Sequence, residues 1–99
     1  MGHARSSEAD SDLDDIWYYV ASESGSVATA DRFIDTIAER FYFLAEYPHL
    51  GRRRDADLRP GLRSFSIGEY VIIYRQRGED ILVLRVLHGS RDIVGLLGH

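Results

Sequence analysis

Three apolar segments separated by short turns dominate the second half of the sequence. They are rich in Val, Ile, Leu, Tyr and Phe, which suit a pleated sheet. Gly68-Glu69 has the chemistry of a type II′ hairpin turn, and residues 76–80 form a longer hairpin loop. Because the second and third segments are apolar on both sides, both faces of the sheet should be covered. The pattern predicts consecutive antiparallel strands over residues 62–67, 70–76 and 81–88.

Two amphipathic segments upstream of these strands predict helices over residues 8–22 and 27–45. Ser7 and Ser26 are suitable N-cap residues, and the second helix should end before Pro48. The link between the helices is short, so they should form an antiparallel hairpin on the sheet. A short apolar tail at residues 93–97 must also dock. The residues expected in the core include Phe33, Ile37, Phe41, Ile72, Leu82 and Leu84.

Acidic residues crowd the first turns of the first predicted helix, at Glu8, Asp10, Asp12, Asp14 and Asp15. The helix dipole favours negative charge at this end. These residues are distributed around the helix and do not share one face, as the ligands of a metal site would. We therefore interpret them as a solvated N-terminal turn.

Composition limits the classes of function. Residues 1–50 carry ten acids and three arginines, whereas residues 51–99 carry six acids and nine arginines. The chain has no cysteine, which excludes disulfides and thiolate metal sites and agrees with a reducing cytoplasm. It also has no membrane-length apolar segment and no metal or nucleotide-binding motif. We expect one cytoplasmic domain over residues 1–99, with no metal, no cofactor and no membrane association.

Residues 48–60 form the longest polar segment and contain four arginines. Arginine makes planar, bidentate contacts to phosphate and carboxylate groups, so this segment is a candidate anion- or target-binding site. The alternative is a solvated loop in which Asp55 and Asp57 pair with neighbouring arginines. The candidate binding residues are Arg52, Arg53, Arg54 and Arg59.

Four further polar residues interrupt the apolar strand pattern near strand ends: Arg63, Arg85, His88 and Arg91. Cleavage of RNA needs a general base, a general acid and cations beside the scissile phosphate. His88 could act as such a general acid or base near neutral pH. Structural roles remain open, because His88 could close the last strand and Arg63 could pair with an acid such as Asp92.

The predicted helices carry more aromatic side chains than a helical hairpin can turn inward. Exposed aromatic patches usually mark an interface. A partner helix or strand could cover them, and without a partner we expect self-association as a two-fold dimer. The candidate partner-binding residues are Trp17, Tyr18, Tyr42, Phe43 and Tyr47.

The order of these features resembles the ParE toxins of ParDE toxin–antitoxin modules, within the RelE/ParE superfamily. The resemblance spans residues 5–97 and rests on the order and spacing of several short motifs. In the helical half these are Ala9, Asp12-Leu13, Ile16, Ala30, Phe33-Ile34, Leu44-Ala45 and Pro48. In the second half they are Gly51-Arg52, Gly61-Leu62-Arg63-Ser64, Tyr70-Val71-Ile72 with Tyr74, Arg85-Val86-Leu87-His88-Gly89 and Arg91-Asp92.

The resemblance implies an α+β fold, with an N-terminal helical hairpin on a C-terminal antiparallel sheet of three to four strands. It implies a toxin of a plasmid-stabilising type II module, neutralised by a ParD-like antitoxin and directed at DNA gyrase. We favour such a binding toxin, without chemistry of its own or sequence-specific DNA contacts. The alternative is a RelE-like, ribosome-dependent mRNA endonuclease that needs no metal.

The segment before the first helix departs from the family pattern. Members of the family usually begin with an apolar strand, but Ala4 is the only apolar side chain in residues 2–6. We therefore expect at most a weak edge strand near residues 3–6, or a native start further upstream.

Overall fold

Two long helices packed on a five-stranded mixed sheet make up most of the computed structural model, which describes residues 2–98. Both helices and the three meander strands lie where the sequence predicts them, with ends that differ by at most two residues. The elements are, in chain order, β1 (His3–Arg5), α1 (Ser7–Ser24), α2 (Val27–Glu46), β2 (Arg52–Arg53), β3 (Leu62–Ile67), β4 (Tyr70–Arg77), β5 (Asp80–His88) and α3 (Ile93–Leu97).

The sheet has the order β1-β5-β4-β3-β2. The β3–β4–β5 meander is antiparallel, as predicted. The predicted α+β class, with a helical hairpin on an antiparallel meander, is confirmed. The sheet has five strands and not three to four, because β1 adds in parallel to β5 and the two-residue strand β2 adds antiparallel to β3. The sheet is therefore mixed, and the polar segment of residues 48–60, which we call the arginine loop, contributes one of its edge strands.

The first strand is present despite its polar sequence. Its backbone supplies the pairing: Ile81 donates its N–H to the Gly2 carbonyl at 3.2 Å, and Ser6 donates to the Val83 carbonyl at 2.9 Å. Ser6 then begins α1, because its Oγ accepts from the Ala9 N–H at 3.0 Å and donates to the Leu84 carbonyl at 2.7 Å. Ser6, and not Ser7, is therefore the N-cap, and the same residue joins the helix to the sheet.

The two helices follow the predicted cap chemistry at their junction. Gly25 ends α1 in the left-handed conformation at φ 68°, which glycine adopts without steric cost. Ser26 caps α2 by accepting from the Thr29 N–H at 3.1 Å. The resulting hairpin covers one face of the sheet, which we call the helix face.

The main core lies between this hairpin and the helix face. Its centre contains side chains with no exposed surface, including Ile37 and Phe41 from α2, Ile72 and Tyr74 from β4, and Val83 from β5. Phe33 packs at its border and is only half-buried. The predicted burial of Ile37, Phe41 and Ile72 is confirmed.

A smaller core covers the opposite face of the sheet, which we call the open face. Leu58 from the arginine loop and Ile93 from α3 pack there against Leu62, Ile73 and Leu87. Leu84 lies at its border and, like Leu82, is only half-buried, so the prediction that both are buried core residues is wrong. The physical reason is that one loop and a five-residue helix cover this face less completely than two long helices do.

Candidate functional site

Asp12 forms a buried ion pair with Arg85 between α1 and β5. Its carboxylate accepts from Arg85 Nε at 2.8 Å, from Arg85 Nη2 at 2.9 Å and from the Val86 N–H at 2.9 Å. Strand β1 ends at Arg5, opposite Val83, so Val86 has no strand partner on that edge. Asp12 supplies the missing acceptor. The prediction that the whole acidic cluster is solvated is therefore wrong for Asp12, which is 8% exposed.

The guanidinium of Arg85 is consequently held in place by the fold. The β4–β5 ladder changes register beside Arg85. Arg85 pairs with Ile73 and Val83 pairs with Tyr74, so Leu84 is an extra residue on β5. Hydrogen bonds to Asp12 raise the pKa of Arg85 above its ordinary value. This arginine is a structural cation in the described chain.

Arg63 lies at the far end of the sheet and holds the backbone that follows α2. Its Nη1 donates to the Gly51 carbonyl at 2.8 Å and to the His49 carbonyl at 3.4 Å. Its partner is therefore this turn, and the predicted pairing with Asp92 is wrong. Asp92 instead caps α3 by accepting from the Gly95 N–H at 3.0 Å.

The arginine loop separates its four candidates into paired and unpaired residues. Arg54 makes a bidentate contact to Asp57, with Nη2 to Oδ2 at 2.6 Å, and donates to Ser64 Oγ at 3.1 Å. Arg53 pairs with Asp55 through Nε at 2.8 Å. Arg52 and Arg59 are exposed and make no hydrogen bond or ion pair with another side chain within residues 2–98.

These ion pairs also lower the pKa values of the acidic residues in the loop. Hydrogen bonds from Arg54 lower the pKa of Asp57. The Gly61 N–H and then Arg53 lower the pKa of Asp55. The predicted alternative of arginines paired with Asp55 and Asp57 thus describes two of the four residues.

His88 and Arg91 are neighbours at the end of β5, where they line a shallow cleft of about 150 Å³ together with Tyr70. His88 Nδ1 accepts from the Ser90 N–H at 3.1 Å, so the neutral ring carries its proton on Nε2. That Nε2 lies 3.9 Å from a Glu69 carboxylate oxygen, and the ring meets Tyr70 edge-on at 5.2 Å. Of the four candidate catalytic residues, only these two share a cleft.

Aromatic side chains project from the helices as the sequence indicates. Tyr18 is 71% exposed, Tyr42 65%, Tyr47 51% and Phe43 41%. Trp17 differs, because it is half-buried and donates its indole N–H to Asp31 at 2.8 Å, which ties α1 to α2.

The exposed aromatic residues do not form one continuous set. Tyr42 meets the ring of His3 edge-on at 4.7 Å beside β1, whereas Phe43 and Tyr47 form their own pair at 5.3 Å near the end of α2. Burial lowers the pKa of His3.

An apolar groove of about 390 Å³ lies elsewhere, between the helical hairpin and the β3–β4 turn, and is lined by Tyr19, Val20, Phe33, Tyr70 and His88, among others.

A larger groove of about 590 Å³ lies on the open face, between the β2 edge and α3. We call it the basic groove. Its polar lining consists of Arg52, Arg54, Ser64, Ser66 and Arg91, with Asp92 at the α3 end. It brings two of the loop arginines together with Arg91, which the sequence places 37 to 39 residues away.

Two residues organise these sites in structural roles that sequence reasoning did not assign to them. Asp12 lies three residues after Ala9 and four before Ile16, so a charge on the apolar stripe of α1 was the available signal. Tyr74 is fully buried, and its hydroxyl accepts from the Gly51 N–H at 2.8 Å and donates to the Pro48 carbonyl at 2.9 Å. Nothing local in the sequence distinguishes it from an ordinary strand tyrosine.

Within residues 2–98, no group of three or more His, Asp or Glu side chains is arranged to hold a metal ion. Neither long helix combines the length and apolar character that crossing a bilayer requires.

Comparisons with known proteins agree with this architecture. A family model described as the ParE toxin of the type II toxin–antitoxin system parDE matches residues 5–93. Toxin ParE3 of Caulobacter vibrioides is 40% identical over 87 residues, which are 88% of this chain and 85% of that protein. Toxin RelE3 of the same organism is 36% identical over 61 residues, covering 62% of this chain and 66% of that protein.

A solved structure titled "Chromosomal ParDE TA system from P. aeruginosa" has the same fold. The alignment has a TM-score of 0.75 and covers 89% of this chain and 95% of that one. The identity is 23%, so this likeness supports the fold alone.

Proposed function

The chain belongs to the ParE toxin family of type II toxin–antitoxin systems, and we propose that it acts by binding DNA gyrase and not by cleaving RNA. Membership of a ParDE system implies an antitoxin as its partner. The gyrase target, a ParD-like identity for that antitoxin, a role in plasmid stabilisation and a cytoplasmic location are parts of this proposal.

The observation that carries the proposal is that the Arg85 guanidinium is already paired with the Asp12 carboxylate. A cation that stabilises a reacting phosphate must be free to contact it, but three hydrogen bonds hold the Asp12 carboxylate against Arg85 and Val86. Arg63 is likewise engaged with the Gly51 carbonyl.

The candidate catalytic residues also do not come together in one place, because Arg63 lies far along the sheet from His88 and Arg91. Arg63 pairs with Tyr74 in the β3–β4 ladder, whereas His88 pairs with Tyr70 in the β4–β5 ladder. Tyr70 and Tyr74 are four positions apart on β4, roughly 13 Å at the usual rise. This dispersion supports a toxin that works through its surface.

The aromatic residues of the helices are the surface that we assign to the antitoxin. Tyr18, Tyr42, Phe43 and Tyr47 expose large apolar groups on a chain this small. A segment that folds on binding must bury such area to offset the order it acquires. Trp17 contributes indirectly, since its hydrogen bond to Asp31 fixes the spacing of the two helices.

Purified gyrase tests the target. We expect the chain to reduce supercoiling of a relaxed plasmid and to increase gyrase-dependent DNA cleavage, with no cleavage when gyrase is omitted. His88→Ala and Arg91→Gln should retain this effect if no catalysis is involved. A wild-type protein that is toxic in cells but leaves gyrase unaffected would overturn the proposal.

The endonuclease alternative rests on the shared cleft of His88, Arg91 and Tyr70. Its test is cleavage of mRNA on purified ribosomes, with and without the chain. The alternative would be established if the wild type cleaves mRNA and His88→Ala does not. The His88→Ala variant must also melt at the wild-type temperature and still bind the antitoxin.

Co-expression with the neighbouring antitoxin tests the partner surface. Amide exchange along α1 and α2 should slow in the complex, and Tyr42→Ala with Tyr47→Ala should weaken it, whereas Asp35→Ala on the same helix should not. Without the partner, the chain should sediment as a dimer. Unchanged exchange at both helices would reject this assignment.

A further inference from the structure

We propose that the basic groove on the open face binds the phosphate groups of a nucleic-acid backbone. The groove lies on the side of the sheet away from α1 and α2, so it is separate from the aromatic residues assigned to the antitoxin. The inference depends neither on gyrase as the target nor on the identity of the antitoxin.

The arginines of the groove provide its charge. Arg52 and Arg91 are exposed, and within residues 2–98 their side chains have no hydrogen-bonded or ion-paired partner. Arg52 lies on the β2 edge, and Arg91 follows the end of β5, so the two approach the groove from different sides. Guanidinium groups hold phosphate through two parallel N–H donors, which makes unpaired arginines at a groove suitable anion ligands.

Arg54 adds ordered N–H donors but no net charge, because Asp57 pairs with its guanidinium. The Arg54 side chain is 12% exposed and held by Asp57 and Ser64. A guanidinium has five N–H donors, so these contacts leave some unused. Because its rotamer is already ordered, little conformational entropy would be lost when an anion binds.

The floor of the groove carries hydroxyl donors. Ser64 and Ser66 alternate with Phe65 along β3, so both serines face the open side, while Phe65 packs against the helix-face core. Ser64 Oγ accepts from Arg54, which leaves its own proton available for a ligand. Donors therefore reach the groove from its floor and from both sides.

This arrangement favours a phosphodiester over a peptide carboxylate. A phosphate group is tetrahedral and can accept from several directions at once, whereas a carboxylate accepts in one plane. Within the described part of the chain, Phe65 is the one aromatic residue that lines the groove, and it packs against the helix-face core, which limits the stacking of bases. Contacts to phosphate alone position a protein on nucleic acid without reading its sequence.

Fluorescence anisotropy with a labelled DNA duplex, and with one of its single strands, tests the proposal on the full chain. We expect weak, sequence-independent binding. Neutralising about two phosphates predicts a slope near −1.8 for log K against log salt concentration on duplex DNA. Arg52→Gln and Arg91→Gln should each weaken binding roughly tenfold and reduce that slope by about 0.9.

Arg40→Gln is the matched control. Arg40 is exposed on α2, on the opposite side of the sheet, so the substitution removes the same charge without touching the groove. Circular dichroism should show that all three variants melt like the wild type. Equal losses of affinity in Arg40→Gln and Arg52→Gln would show that DNA binding depends only on the net charge of the chain, which would overturn the proposal.

Two competitors identify the ligand. Inorganic phosphate should displace the DNA at high concentration, whereas a polyglutamate peptide of equal charge should displace it less well. Absence of DNA binding at low salt, or tighter binding of the peptide, would reject a nucleic-acid site. A similar affinity for duplex and single strand would support recognition of the backbone. A preference for one of the two would support it as well, provided that Arg52→Gln and Arg91→Gln abolish that preference.

Discussion

Removal of the Asp12 carboxylate should be among the most damaging single changes on α1. Asp12→Ala leaves the Arg85 guanidinium without its anion and the Val86 N–H without an acceptor. Both groups lie where α1 crosses the edge of β5, beyond the end of β1. No other described residue donates to or accepts from the Arg85 side chain.

The magnitude follows from the burial of the pair. Breaking a buried ion pair by removing one partner costs about 3–5 kcal/mol. The Asp12 side chain is 10% exposed, but that of Arg85 is 24% exposed and can regain some water. We therefore take the lower end, about 3 kcal/mol, which for a domain of this size lowers Tm by roughly 12–24 °C.

Urea unfolding followed by circular dichroism measures this cost. Asp12→Ala should lower the midpoint with little change in the slope m. In a double-mutant cycle, Asp12→Ala with Arg85→Ala should be less destabilising than the sum of the single variants by roughly 1–3 kcal/mol. Asp14→Ala, exposed on the same helix, should change stability by less than about 0.5 kcal/mol. An Asp12→Ala cost below about 1 kcal/mol, or no coupling with Arg85, would refute the assignment of a structural ion pair.

Three further predictions address the core, the turn after α2 and the arginine loop. Phe41→Ala should cost about 3–4 kcal/mol in urea because the ring has no exposed surface, whereas Phe43→Ala should cost less than about 1 kcal/mol; similar losses would contradict the core. Tyr74→Phe should cost about 1–3 kcal/mol and speed amide exchange at Gly51, because the hydroxyl is the acceptor for that N–H; unchanged exchange would show that another group satisfies it. The lowered pKa values of Asp55 and Asp57 mean that their stabilisation is complete above the ordinary value of 3.8 and is lost as pH falls through the folded values. Tm should therefore decline below about pH 4, and less steeply in Asp57→Asn; an identical decline in that variant would exclude Asp57 as a source.

The helices and the meander could be predicted because their signals are local. An apolar stripe such as Ala9, Leu13 and Ile16 specifies one face of a helix wherever the helix packs. Strand β1 was expected only as a weak edge strand and β2 not at all, because two or three mostly polar residues become a strand only when a neighbour offers a free edge. Whether these residues form strands depends on the free edges of their pairing partners, β5 and β3.

The candidate site was less predictable than the fold, since its geometry depends on contacts that are distant in sequence. Arg85 was correctly identified as an exception in an apolar strand, but its partner lies 73 residues away. The four loop arginines look equivalent in sequence. Asp57 and Ser64 distinguish Arg54 from Arg52, which only the folded loop reveals.

The parallel pairing of β1 with β5 sets the order in which the chain can mature during synthesis. His3 pairs with Ile81, so the first strand leaves the ribosome long before its partner exists. At about 5–20 residues per second, this interval lasts roughly 4–16 s. During that time α1 and α2 can meet each other, but the stripe that carries Ile16, Ile37 and Phe41 lacks its contacts with β5. The nascent toxin therefore keeps part of this apolar stripe uncovered until β5 is complete, a state prone to aggregation.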